Sequence, residues 1–140
     1  MGRGGGACAG DAGVKRPPYL LDSHTLLWAT SEPHLLSPRV RAIIADPAHR
    51  LLLSTATLWE LSIKVTIGKL ELPKRFFDEI FELGYESLSV ESHHLDTYRN
   101  LPLTHRDPFD RLLVAQAVSE RLCLLSSDKL IQQYEVEWLW

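Results

Sequence analysis

Apolar and polar positions along this chain fall into blocks that read as strand, helix, strand, helix. Tyr19-Leu20-Leu21 is a short continuous apolar run, the pattern of a strand buried on both faces. A turn and then a helix from about Thr25 to Thr30 are expected after it. Ser37-Pro38 predicts a helix start, with Ser as N-cap and Pro at the first helical position. Val40, Ile43 and Ile44 give that helix its apolar stripe. Asp46-Pro47 stops it, because a residue before proline is pushed out of the helical region. Leu51-Leu52-Leu53 is a second buried strand.

The stretch Trp59 to Ile67 reads two ways. Strict alternation of apolar and polar residues predicts a strand, and Gly68-Lys69 would close a hairpin to Leu70-Glu71-Leu72. Equally, Ser54 or Thr55 would cap a helix, Glu60 and Lys64 would pair one turn apart, and Gly68 would end it. Pattern alone leaves both open. Pro73 to Leu83 is an amphipathic helix carrying Phe76, Phe77, Ile80 and Phe81, ended by Gly84. Ser87 to Val90 is a short strand and Glu91 to Asn100 a helix. Pro108 to Arg121 is the clearest helix. Leu122 to Leu125 is a strand, Lys129 to Tyr134 a short helix, and Val136 to Trp140 a last strand. Strands alternating with helices imply an α/β fold with a central parallel sheet and helices on both faces.

Composition adds boundaries. The chain has 140 residues and a hydrophobic fraction of 45%, enough for one domain with a real core. Residues 1–18 are rich in Gly and Ala and are expected to be a disordered extension, leaving 19–140 as the folded domain. No apolar run approaches a membrane span, and the N-terminal stretch lacks the apolar core of a secretory signal, so no membrane association is expected. Cys8 and Cys123 are expected not to pair. Cys123 then acts as a small core hydrophobe, and a cytoplasmic location fits. Formal net charge is −3. Residues 1–18 hold Arg3, Lys15, Arg16 and Asp11, so the folded part carries −5. That argues against a general nucleic-acid coat protein, which would be basic. It leaves room for a nuclease whose acids are offset by bound cations.

Four acids carry the candidate chemistry. Asp22 ends the first strand, Asp128 follows Leu124-Leu125-Ser126-Ser127, Asp110 lies in the first turn of the clearest helix, and Glu60 sits in the ambiguous stretch. In open α/β sheets, ligands bind beyond the carboxyl ends of the strands. Acids gathered there repel one another unless a cation neutralises them, and hard oxygen ligands suit Mg²⁺ or Mn²⁺. Each acid also has a plainer role. Asp22 and Asp128 would cap the helices that follow them. Asp110 would be the third-position acid of a helix capped by Asp107, and Glu60 an exposed partner of Lys64. Four coincident plain roles explain the pattern less well than one shared site.

The segments Tyr19-Leu-Leu-Asp22-Ser-His-Thr-Leu-Leu-Trp28, Thr57-Leu-Trp-Glu60-Leu-Ser-Ile-Lys64, His105-Arg-Asp-Pro-Phe-Asp110-Arg-Leu-Leu-Val-Ala-Gln-Ala117 and Leu124-Leu-Ser-Ser-Asp128 together resemble the PIN domain. More narrowly, they resemble VapC-type toxins of bacterial toxin–antitoxin pairs. The resemblance runs in order from Tyr19 to Trp140. It implies a three-layer α/β/α sandwich and places Glu60 on a helix. It also implies a ribonuclease that uses Mg²⁺ or Mn²⁺ held by Asp22, Glu60, Asp110 and Asp128, with 5′-phosphate and 3′-hydroxyl products. Its implied partners are an RNA substrate, a small VapB-like antitoxin and a second copy of the chain. Ser23 stands where Thr is commoner and keeps the hydroxyl.

Around the acids, Ser23, Thr25, Ser126 and Ser127 are candidates for orienting carboxylates or water, with turn capping as the alternative. Arg106, Arg111 and Lys129 are candidate phosphate contacts. Arg111 would alternatively brace an acid, and all of them would alternatively be solvated charges. His105 also flanks the acids. His93-His94 lacks further ligands at zinc spacing and is expected on a helix surface. Trp28 and Trp59 are expected in a core or an interface. Two other functions compete: a non-catalytic antitoxin-binding module, which the intact acids disfavour, and a structure-specific DNA nuclease, which the lack of a long insertion disfavours.

Overall fold

The computed structural model describes residues 17–140. Five strands form one sheet in the order β3-β2-β1-β4-β5, and every pairing is parallel. They are β1 (Tyr19–Leu21), β2 (Leu51–Ser54), β3 (Glu86–Leu88), β4 (Cys123–Leu125) and β5 (Trp138–Leu139). Six helices connect them: α1 (Ser23–Ser31), α2 (Pro38–Ala45), α3 (Thr55–Thr66), α4 (Phe76–Glu82), α5 (Ser92–Arg99) and α6 (Pro108–Glu120).

Alternation along the strands sorts the core into two layers. Tyr19, Leu21, Leu53, Cys123 and Leu125 face Leu26 of α1, Val40 of α2, Leu61 of α3 and Ile80 of α4. Leu20, Leu52 and Leu124 face Leu113, Val114 and Ala117 of α6. This is the expected three-layer sandwich. The clearest differences from sequence expectation are at element ends. α4 begins at Phe76 rather than Pro73, and Lys129 to Tyr134 forms only a 3-10 turn at Ile131–Gln133. The last strand is two residues long, Trp138–Leu139.

The Trp59–Ile67 ambiguity resolves as helix α3. Ser54 Oγ accepts from the Ala56 N–H, and Gly68 closes the C-terminus at φ 77°. Alternation did not decide it because α3 is buried along one stripe only, at Ala56, Thr57, Glu60 and Leu61.

The folded part starts slightly earlier than expected. The Pro18 carbonyl accepts from the Cys123 N–H at 3.0 Å, which extends the β1–β4 ladder. The expected disorder of residues 1–16 lies outside the described residues. Cys123 is fully buried, as expected, but it is disulfide-bonded rather than a free thiol. The expectation that it does not pair with Cys8 concerns a residue outside the described ones. Among the described residues no helix is long and apolar enough to cross a membrane.

Candidate metal centre

The sheet reverses direction of growth at β1. From there the chain builds outward to β2 and β3, then crosses back to β4 and β5. Such a switch point opens a crevice at the carboxyl ends of the two central strands. Asp22 leaves β1 into that crevice, and Ser126 and Asp128 leave β4 into it.

Asp22 is 4% exposed. It caps α1 by accepting from the Thr25 N–H at 2.9 Å, and its other oxygen accepts from Ser126 Oγ at 2.5 Å. Burial raises its carboxyl above the ordinary value, and the hydrogen bonds from Ser126 and Thr25 oppose that rise. The plain role and the candidate role therefore coexist in one side chain. Ser126 Oγ also accepts from the Asp128 N–H at 3.1 Å, so one hydroxyl couples two of the acids. Asp128 caps the turn after it through the N–H groups of Leu130 and Ile131. Burial works against its charge, but those N–H donors and the His105 ring hold its carboxyl below the ordinary value.

Asp110 enters from α6, where Asp107 accepts from the Phe109 and Asp110 N–H groups as the cap. Burial first, then the charges of Asp107, Asp22 and Glu60, raise the Asp110 carboxyl to about 7, with His105 opposing them. Glu60 enters from α3 and is 7% exposed. Its Oε2 takes a 3.1 Å salt bridge from Lys64 and a long 3.5 Å hydrogen bond from Ser23 Oγ. Its Oε1 is buried without a hydrogen-bond partner.

His105 stands between two of the acids, with Nε2 3.0 Å from Asp110 Oδ2 and 3.2 Å from Asp128 Oδ2. Its Nδ1 accepts from the Asp107 N–H, so in this orientation Nε2 donates to both carboxylates. Sequence reading placed His105 only among the flanking cations. Nothing in a single histidine two residues before a cap shows that it turns inward.

These residues fit a divalent cation. Asp22 and Glu60 lie close enough to press on Asp110, one buried oxygen of Glu60 lacks a hydrogen-bond partner, and His105, Asp110 and Asp128 bring ligand atoms within 4.8 Å of one another. The donor set is almost wholly hard oxygen.

A family model described as PIN domain matches residues 19–137. This chain belongs to the PIN domain family. PIN domains are typically metal-dependent nucleases. No curated protein matches the chain in sequence. Among solved structures, VapBC2 from Rickettsia felis, crystallised with a DNA fragment from its promoter, is similar at a TM-score of 0.67 and 14% identity. The similarity covers 86% of this chain and 96% of that one. A toxin–antitoxin complex from Klebsiella pneumoniae is similar at a TM-score of 0.53 and 16% identity, covering 79% and 86%. At such identities the likeness is one of fold, and it is the fold of VapC-type PIN domains.

Several expected site residues of the PIN domain stand elsewhere. Thr25 Oγ1 donates to the Leu125 carbonyl at 2.9 Å, so it ties α1 to β4, while its backbone N–H is capped by Asp22. Ser127 has no side-chain partner among the described residues; Ser126 does the orienting. Arg111 does not stand where a phosphate contact would. It is 5% exposed, donates to the carbonyls of Pro102 and Tyr98 and to Tyr134 Oη, and stacks over the Tyr98 ring at 4.7 Å. A guanidinium so committed is no phosphate contact. Since Tyr134 Oη also accepts from the His105 N–H at 2.8 Å, Arg111 instead fixes the loop that presents His105. Arg106 and Lys129 are exposed, as a rim requires.

His94 is likewise buried rather than on the surface. Its Nδ1 accepts from the Glu91 N–H, and its Nε2 lies 2.7 Å from Glu120. With Nδ1 so used, Nε2 is a donor, and the His93–His94–Glu120 group offers no free His94 lone pair to an ion. A separate apolar concavity lies away from the acid crevice. It is a groove of about 1170 Å³ lined by Leu27, Trp28, Leu70, Leu72, Phe76 and Ile80 among others.

Proposed function

We propose that this PIN domain is a divalent-metal-dependent endoribonuclease and the toxin of a toxin–antitoxin pair. The observation that carries the reading is the convergence of Asp22, Glu60, Asp110 and Asp128 at the switch point of the sheet, with Asp110 pushed to about 7 by burial and by its acidic neighbours. So much unbalanced negative potential suits a cation. When bound, Mg²⁺ or Mn²⁺ would supply the charge that grips a phosphodiester and an activated water to attack it.

The residues of the chain do the rest. Ser126 holds Asp22 and the Asp128 backbone in register. Ser23 and Lys64 fix one oxygen of Glu60 and leave the other free to ligate. His105 steadies Asp110 and Asp128 while no cation separates them. Arg106 and Lys129 form the cationic rim for substrate phosphates. No protein nucleophile is required, and the products are a 5′-phosphate and a 3′-hydroxyl.

The partner follows from the neighbours and from the groove. Both named structures are toxin–antitoxin complexes. The apolar groove beside α1 and α4 is suited to an apolar antitoxin segment, and a guanidinium from that segment would bind the acids in a bidentate way. A homodimer is part of the same proposal.

The deciding experiment maps cleavage sites on total RNA, with wild type beside Asp22→Asn. Cuts that appear with Mg²⁺ or Mn²⁺, vanish in excess EDTA and are absent with Asp22→Asn are expected. Full activity in EDTA would rule the mechanism out.

A further inference from the structure

Trp59 is the one exposed aromatic among the large exposed hydrophobic residues described, at 64%. Sequence reading expected it in a core or an interface. It projects from α3, and its ring meets the Phe109 ring of α6 edge-to-face at 5.4 Å. Trp59 immediately precedes Glu60, and Phe109 immediately precedes Asp110. The aromatic pair therefore bridges the same two helices, at the same level, as the two acids that sense each other across the crevice.

We infer that the Trp59–Phe109 pair is a stacking platform for an unpaired base of the RNA strand whose phosphate lies at the acid centre. This deepens the proposed function and rests on it. Phosphate attraction is supplied here by few groups, the exposed Arg106 and Lys129. Arg111 is buried and fully committed, and Lys64 is already paired with Glu60 at 3.1 Å. The folded part is net acidic. Affinity must then include a non-ionic contribution, and a strand held by a phosphate necessarily brings a base close beside it. Stacking on a rigid aromatic face supplies such a contribution for any base. Phe109 supplies the rigidity through its near-perpendicular contact with the Trp59 ring, while most of Trp59 stays open to solvent. A platform of this kind takes single strands, because the bases of a duplex are already stacked on each other.

The test uses the full chain carrying Asp22→Asn to prevent cleavage, with anisotropy of a fluorescein-labelled 12-nucleotide oligo(A) RNA as readout. Trp59→Ala is expected to weaken binding about tenfold, and Trp59→Leu by a similar factor, since leucine keeps the contact with Phe109 but has no flat face. Trp59→Phe should stay within about threefold of the parent. The slope of affinity against salt should be unchanged in all three, because no phosphate contact is removed. A duplex of the same length should bind weakly and indifferently to Trp59. Binding by the Ala and Leu variants equal to the parent overturns the platform. So does a drop in binding accompanied by conversion of a dimer to monomers in light scattering, which makes the face a contact between copies. Wild-type cleavage of total RNA is scored in parallel. Metal-dependent cuts with an indifferent Trp59 sink the platform alone. A wild type that cuts nothing sinks the nuclease reading and the platform with it.

Discussion

Neutralising Asp110 is expected to slow cleavage by orders of magnitude and to steady the metal-free fold at the same time. Its carboxyl moves from an ordinary value of 3.8 to about 7 on folding. Between those values the folded chain keeps a proton that the unfolded chain has released. The contribution of Asp110 to stability therefore falls as pH rises from about 4 to about 7, and the penalty is complete above that. In EDTA, Asp110→Asn should melt about 3 °C or more above wild type at pH 7.5 and level with it at pH 4. Parallel melting curves across that range would contradict the assignment. Added Mn²⁺ should raise the wild-type midpoint by mass action and move the variant less. Arg111 behaves in the opposite sense. Arg111→Lys keeps the charge but loses the planar fork that spans two carbonyls and Tyr134. A loss of about 2 kcal/mol in urea unfolding is expected, with the slope unchanged. A midpoint equal to wild type would mean that the loop 100–107 is held by other contacts.

Helix ends are where the local sequence speaks most directly. Ser37 Oγ accepts from the Val40 N–H with Pro38 at the first position, as the Ser-Pro pair predicts. At the end of α3, Gly68 donates to Val65 and Lys69 donates to Lys64, with Gly68 at φ 77°. No atom lies within 4 Å of where a Gly68 Cβ would stand, so Gly68→Ala meets a backbone penalty alone, about 1 kcal/mol, by thermal or urea unfolding. A neutral result would show that α3 can end without its left-handed residue. The same elements show what a sequence hides. Strands β1, β2 and β4 were legible because they are apolar throughout, and α6 because its stripe is long. Trp59 to Ile67 was not legible, since period-two alternation and a one-sided helix coincide over nine residues when only one stripe is buried. Among the acids, chain order and strand ends placed Asp22, Asp110 and Asp128. The inward turn of His105, the burial of Arg111 and the choice of Ser126 over Ser127 depend on partners far along the chain, such as Tyr134 and Asp22, and no local pattern encodes them.

For the molecule as a whole, charge and shape separate the two expected ligands. The net-acidic folded part gives RNA no general attraction, so salt dependence should be shallow, near −0.7 in log–log slope per phosphate neutralised on a single strand. Arg106→Ala and Lys129→Ala should each reduce both affinity and slope while leaving the cleavage positions unchanged, since phosphate contacts position without specifying. If neither quantity moves, the rim lies elsewhere. The proposed dimer is open to light scattering at tens of micromolar, where a monomer would refute it.

The hydrogen bond between Ser126 and Asp22 joins residues 104 apart in sequence. Ribosomes deliver a chain from its N-terminus, so Asp22 emerges early and waits for Ser126 and Asp128 to leave the exit tunnel. Until β4 slots in beside β1, the centre of the sheet has an empty place and the crevice has only one wall. A growing chain is therefore expected to be harmless to the RNA being translated through the same ribosome. Activity would begin only after Asp128 has emerged, leaving an interval in which a partner already present can meet the chain before its acids are assembled.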